Sequence, residues 1–140
     1  MITDKVDKIN KNIMKNIEKL STIGFHTVNI LLIIFYLFPG SILGFYLYDN
    51  ISLQPQITRD FIISSNHLYI FIILSVLGIF SYQNKKIFKF VIIYLFLLSI
   101  ILELLHIIIP LRGFEWTDLL GNIVGVMFGI VIYKVKNKYV

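Results

Sequence analysis

IFKFVIIYLFLLSIILELLHIII, residues 87–109, is the stretch on which the fold turns. Lys89 at one end, and Glu103 and His106 toward the other, interrupt its apolar character. At about 1.5 Å per residue the run measures roughly 35 Å as a helix, enough to cross a hydrocarbon core of about 30 Å. Glu103 lies roughly 10 Å along the axis inside Pro110. A lone charge at the centre of such a helix costs about 2.5–3.5 kcal/mol, so this carboxyl must be paired, protonated or reached by water. The whole chain has the same character. It is 57% hydrophobic and 15% charged, where soluble domains sit near a half and a quarter, so its solvent is lipid.

Three further runs on either side read as spans. Phe25 to Tyr48 carries no Asp, Glu, Lys or Arg, and Pro39-Gly40 predicts a kink in its outer third, because proline removes a helical hydrogen bond and crowds the preceding turn. The second run is clean from Leu68 to Tyr82 but opens on Ser64, Ser65, Asn66 and His67, which places His67 at its mouth. The fourth, from Asp118 to Tyr133, is near the lower length limit for a span. The expected organisation is a segment at 1–24, spans at about 25–48, 64–82, 87–109 and 118–133, and a tail at 134–140. Between Thr3 and Ser21, Val6, Ile9, Ile13, Ile17 and Leu20 recur three or four apart with lysines around them, the pattern of an amphipathic helix suited to an anionic membrane surface. That segment is too long and too acidic for a signal-peptide n-region, and no small-residue cleavage site follows the first apolar run, so the first span is expected to stay in the mature protein. The fold class expected is an all-α membrane protein of four transmembrane helices with an N-terminal cytoplasmic amphipathic helix.

Orientation follows from Lys and Arg. Five lie in residues 1–24, three in 83–89 and three in the tail, against Arg59 and Arg112 alone on the other side. Eleven against two is a strong positive-inside bias, which predicts both termini in the cytoplasm and the loops at 49–66 and 110–117 outside. The net charge of +5 is thereby topological, and no basic face interleaved with exposed aromatics points to nucleic acid. Absence of Ala beside abundant Ile, Phe, Lys and Asn suggests an AT-rich genome and a bacterial plasma membrane. With no cysteine, thiol chemistry and disulfides are excluded, and any site must use oxygen and nitrogen groups.

Those groups gather at the outer ends of spans two, three and four. His106 stands three residues after Glu103, on nearly the same helix face. Asp118 and Asn122 are four apart on span four, and Gly121, Gly125 and Gly129 form a small-xxx-small row that lets a backbone approach a neighbouring helix. A short loop returns span four beside span three, so Glu103 and His106 are expected to face Asn122 and Asp118, with Arg112 and Glu115 above. Arg112 suits bidentate contact with a phosphate or carboxylate, and equally a snorkelling interfacial position. Trp116 and the tyrosines read as interfacial anchors.

The arrangement of Glu103, His106, Pro110, Arg112, Glu115, Trp116, Asp118, Gly121, Asn122, Gly125 and Gly129 resembles the signature of the VanZ-like family of small bacterial membrane proteins. Together with His67 at the start of span two, the likeness covers residues from about 60 to 133. The resemblance implies polar family positions at His67, Glu103, Pro110, Arg112, Asp118 and Asn122. It also implies an association with lowered susceptibility to teicoplanin and related lipoglycopeptides. The family more usually shows Gln where this chain has His106, which favours a hydrogen-bonding role there over proton shuttling.

The leading expectation is an envelope protein whose outward pocket of His67, Glu103, His106, Arg112, Asp118 and Asn122 engages a polar or anionic headgroup. Membrane lipid, a lipid-linked cell-wall precursor or the lipoglycopeptide itself would suit it. Two other classes stay open. One is an enzyme using Glu103 and a histidine for acid–base chemistry on a lipid headgroup; Glu103→Gln would nearly abolish its turnover while sparing a binding protein. The other is an accessory or regulatory subunit, or a homo-oligomer, resting on the glycine rows. His67, Glu103, His106 and Asp118 carry zinc- and manganese-type donors, but Glu-x-x-His is a common helical spacing and no His-Glu-x-x-His motif is present. No metal and no cofactor is therefore assigned.

Overall fold

The computed structural model describes residues 2–139, and their side chains from residue 5 onward; the ends of the segments at 1–24 and 134–140, and the side chain of Thr3, lie outside that description. Among the described residues there are five helices and no strand: α1 (Ile2–Leu37), α2 (Ile42–Tyr48), α3 (Ser65–Tyr82), α4 (Phe88–Leu105) and α5 (Trp116–Tyr139). Four of them, all but α2, are long and apolar enough to cross a membrane, and the chain is a multi-pass membrane protein.

α1 is one unbroken helix, so the amphipathic stretch and the first apolar run are continuous. Residues 5–17 are exposed throughout, and the apolar stripe of Val6, Ile9, Ile13 and Ile17 is about half exposed. The helix stops at Leu37 because the residue before a proline is pushed out of the helical region and Pro39 has no N–H to give. Where a kink was expected, the helix breaks. Gly40 turns at φ 84°, and the Ser41 N–H donates to the Ile51 carbonyl at 2.7 Å. The Ser41 hydroxyl then caps α2 by accepting from the Gly44 N–H at 2.9 Å, as N-cap serines do.

The loop from α2 to α3 is tied down at the residues that open α3. Asn66 accepts from the Ile57 N–H at 2.9 Å and donates to the Pro55 carbonyl at 2.7 Å. Asp60 accepts from the Ser65 N–H at 2.7 Å. The Ser64 N–H reaches the Thr117 carbonyl at 3.1 Å, which joins the first turns of α3 and α5. α4 ends at Leu105, short of 109, because the chain tightens ahead of Pro110 into three successive i→i−3 bonds, from His106 to Glu103, Ile107 to Leu104 and Ile108 to Leu105.

α3 is central, packed against α1, α4 and above all α5. The glycine row of α5 faces α3 rather than α4. A Cβ on Gly121 would lie 2.8 Å from the Ser64 carbonyl oxygen and 3.2 Å from the His67 Cβ, and one on Gly125 would lie 2.7 Å from the Leu68 carbonyl oxygen. Only glycine permits backbones this close. Phe71, Leu74, Ile79, Leu95 and Val126 form the fully buried centre. Outward, Ile93, Leu97, Ile101 and Leu104 leave a continuous apolar stripe of α4 exposed, as a lipid-facing helix surface requires.

Candidate functional site

Above that apolar centre, at the end of the bundle away from the lysines, the interior turns polar. His67 from the first turn of α3, Glu103 from the last turn of α4, His106 just beyond it and Asn122 from α5 are all buried. Glu103 and Asn122 have no exposed surface at all. Asp118, in the first turn of α5, is partly open, with 19% of its side chain exposed.

Five of the six residues singled out from the sequence are brought together. The Glu103 Oε1 accepts from the Glu115 N–H at 3.1 Å. Its Oε2 lies 3.3 Å from the His106 Nδ1 and 3.8 Å from the His67 Nδ1, yet is buried without a hydrogen-bond partner. His67 stands between two carboxyls, with its Nε2 3.4 Å from the Asp118 Oδ2. Its Nδ1 lies 3.1 Å from the Asn122 Oδ1. The Asn122 amide is fixed from behind, since its Nδ2 donates to the Ser99 carbonyl at 3.1 Å.

Two participants had no sequence signal of their own. Tyr36, near the end of α1, donates its hydroxyl to the Asn122 Oδ1 at 2.8 Å and meets the His67 Nδ1 at 3.0 Å. Its ring stacks on His106 at 5.4 Å between centroids, and its carbonyl accepts from the His106 Nε2 at 3.2 Å. Among eight tyrosines it reads as one more interfacial anchor; only its proximity to the Pro39 break hints otherwise. Ser99 contributes only its main-chain oxygen, to which sequence is blind.

Arg112 is the residue that does not join the cluster. Its guanidinium closes the open end of α1, donating from Nη2 to the Phe35 carbonyl at 3.0 Å and from Nε to the Phe38 carbonyl at 3.4 Å, and from Nη1 to the Gln54 Oε1 at 3.1 Å. A cation at a helix C-terminus completes the last carbonyls and complements the dipole. Partial burial pulls its pKa below the ordinary value, and Tyr36, Asp118 and Glu103 oppose that pull. Guanidinium stays protonated in either case.

Beside the cluster lies a cavity of about 540 Å³, bounded by α1, α2, the 54–57 loop and α3. Val28, Leu32, Leu43 and Leu47 supply apolar wall, while His67, His106 and Arg112 meet it from the polar side.

A family model described as VanZ/LLP1 matches residues 6–137. It extends the likeness carried by the motifs of the last three spans across α1 as well. No curated protein and no solved structure matches the chain.

Proposed function

The chain belongs to the VanZ/LLP1 family, and on that premise we propose that it is a bacterial plasma-membrane protein whose polar cluster faces outward and holds the headgroup of a lipid-like molecule. Both termini are cytoplasmic in this reading, and the consequence for the cell is reduced susceptibility to teicoplanin-type lipoglycopeptides. The observation that carries it is the cavity of about 540 Å³ with apolar walls and a histidine–arginine side. Ligand pockets commonly run from about 300 to 1,000 Å³, and this one has the amphipathic lining that a chain plus headgroup demands. Three of the five guanidinium N–H groups of Arg112 are engaged among the described residues, which leaves donors for a phosphate or carboxylate. Asp118, with 19% of its side chain exposed, is the carboxyl of the cluster that opens to the surface, whereas Glu103 has no exposed surface.

The test is expression in a susceptible Gram-positive host, with teicoplanin and vancomycin compared for the wild type, Arg112→Ala and Asp118→Ala at matched membrane levels. The expected result is a severalfold rise in the teicoplanin inhibitory concentration for the wild type that both variants lose, with a smaller effect on vancomycin, which lacks the lipid tail. If the wild type moves neither drug, the resistance reading is dropped.

A further inference from the structure

The geometry points to a binding site for a divalent first-row transition cation, zinc by its ligand chemistry, made by His67, Glu103 and Asp118. This site shares His67 with the cavity wall, and metal content and its effect on stability are read without any lipid. The three side chains come from α3, α4 and α5, and each offers one donor atom such that all lie within 4.8 Å of one another.

Hydrogen-bond bookkeeping at the far sides of the rings makes the centre electron-rich. The Ser99 carbonyl can only accept, so it takes the Asn122 amide N–H and turns the Asn122 Oδ1 toward the His67 Nδ1. An amide oxygen also only accepts, so Nδ1 carries the proton and the neutral ring presents a lone pair at Nε2. That lone pair faces the Asp118 Oδ2 at 3.4 Å. His106 donates from Nε2 to the Tyr36 carbonyl and sets its Nδ1 3.3 Å from the Glu103 Oε2, where only a doubly protonated ring offers a second N–H. With His67 neutral and protonated at Nδ1, its Nε2 and the Glu103 and Asp118 carboxylates converge with no hydrogen among them, and Glu103 Oε2 is left without a hydrogen-bond partner in a fully buried position. A cation held by His67, Glu103 and Asp118 gives each of these three side chains a partner.

The dimensions and the surroundings suit zinc. Two ligand atoms on a tetrahedral ion with bonds of about 2.0–2.1 Å stand about 3.4 Å apart, the separation seen between His67 and Asp118. One imidazole and two carboxylates leave a fourth position free, as in catalytic rather than structural zinc sites. A metal-bound histidine typically donates its other ring N–H to a fixed acceptor, and Asn122 fills that role for His67.

A tag-free full-length chain, purified in detergent without chelator, tests this by metal analysis and thermal unfolding. About one zinc per chain is expected, with Tm falling on EDTA treatment and recovering with added zinc. Asp118→Asn, at the partly exposed ligand, and Glu103→Gln should each drop the bound zinc to about a tenth or less. X-ray absorption of the zinc-loaded wild type should show nitrogen and oxygen ligands with one imidazole. The proposal is overturned if the wild type neither retains nor takes up zinc or manganese and its Tm ignores both. It is equally overturned if folded variants bind as much as the wild type, which would mark adventitious surface binding. A proton shared between His67 and Asp118 would leave the wild type metal-free. Should a variant fail to fold, the reversible Tm response and the absorption spectrum of the wild type decide the matter.

Discussion

Tyr36 serves the cluster through three different groups, its hydroxyl, its ring and its carbonyl, and Tyr36→Phe removes only the first. The variant leaves the Asn122 Oδ1 with the His67 Nδ1–H in place of two donors, and the lost hydrogen bond costs about 0.5–1.5 kcal/mol. A lowered Tm in detergent is expected, while His106 keeps both its stacking and its bond to the Tyr36 carbonyl. An unchanged Tm would show that the hydroxyl is not engaged as described. His67, Glu103, His106, Asp118 and Asn122 were legible from the sequence because a polar group inside an apolar helix is expensive and so stands out. Tyr36 was hidden because tyrosine is at home at any membrane interface. Arg112 stands beside the cluster on the cavity wall, and what the sequence hid is its partners: main-chain carbonyls of Phe35 and Phe38, more than seventy positions away along the chain. Nothing in residue type announces a helix end that needs closing.

Among the elements, α5 bears the most specific geometry. Gly125→Ala would push a Cβ to 2.7 Å from both the Leu68 carbonyl oxygen and the Phe71 Cβ, an overpacking worth about 1–3 kcal/mol or more. Gly113→Ala meets nothing within 4 Å and should stay within about 0.5 kcal/mol of the wild type. Comparing the thermal stability of the two variants checks whether the seam between α5 and α3 is as close as described; equal effects would contradict it. The spacing of Gly121, Gly125 and Gly129 was readable as a packing stripe, but its partner was not. A short loop suggests the sequence neighbour, and α4 is indeed adjacent, yet backbone contact goes to α3. The end of α1 was half legible. Proline and glycine announce an interruption, whereas the return of the chain onto α2 depends on a pairing of Ser41 with Ile51 that no local pattern encodes.

At the scale of the whole molecule, the three lysine-rich stretches come together at one end. Lys85 pairs with Glu18 at 3.0 Å, and Lys136 donates to the Gln83 Oε1 at 3.2 Å. The absence of cysteine makes the proposed orientation directly measurable. Leu53→Cys and Asn84→Cys both sit at exposed positions, at opposite ends of the bundle. A membrane-impermeant maleimide applied to intact cells should label the first and reach the second only after permeabilisation; the reverse pattern would invert the topology. The bundle was legible as a whole because hydropathy and charge are sums over many residues, and sums tolerate local ambiguity. The cluster depends on a few contacts between distant elements, and so on the fold itself. The glycine seam links the two scales. Glycine has no side-chain rotamers to surrender, so the surface that α5 lends to the seam orders at no side-chain entropic cost, whereas a long apolar side chain gives up about 0.5–2 kcal/mol on burial. The face of α5 that carries Asp118 and Asn122 is thereby registered against His67 by main-chain contact, with little side-chain motion to blur it. Heating should loosen the lipid-facing stripes of the bundle well before it disturbs the distances within the cluster.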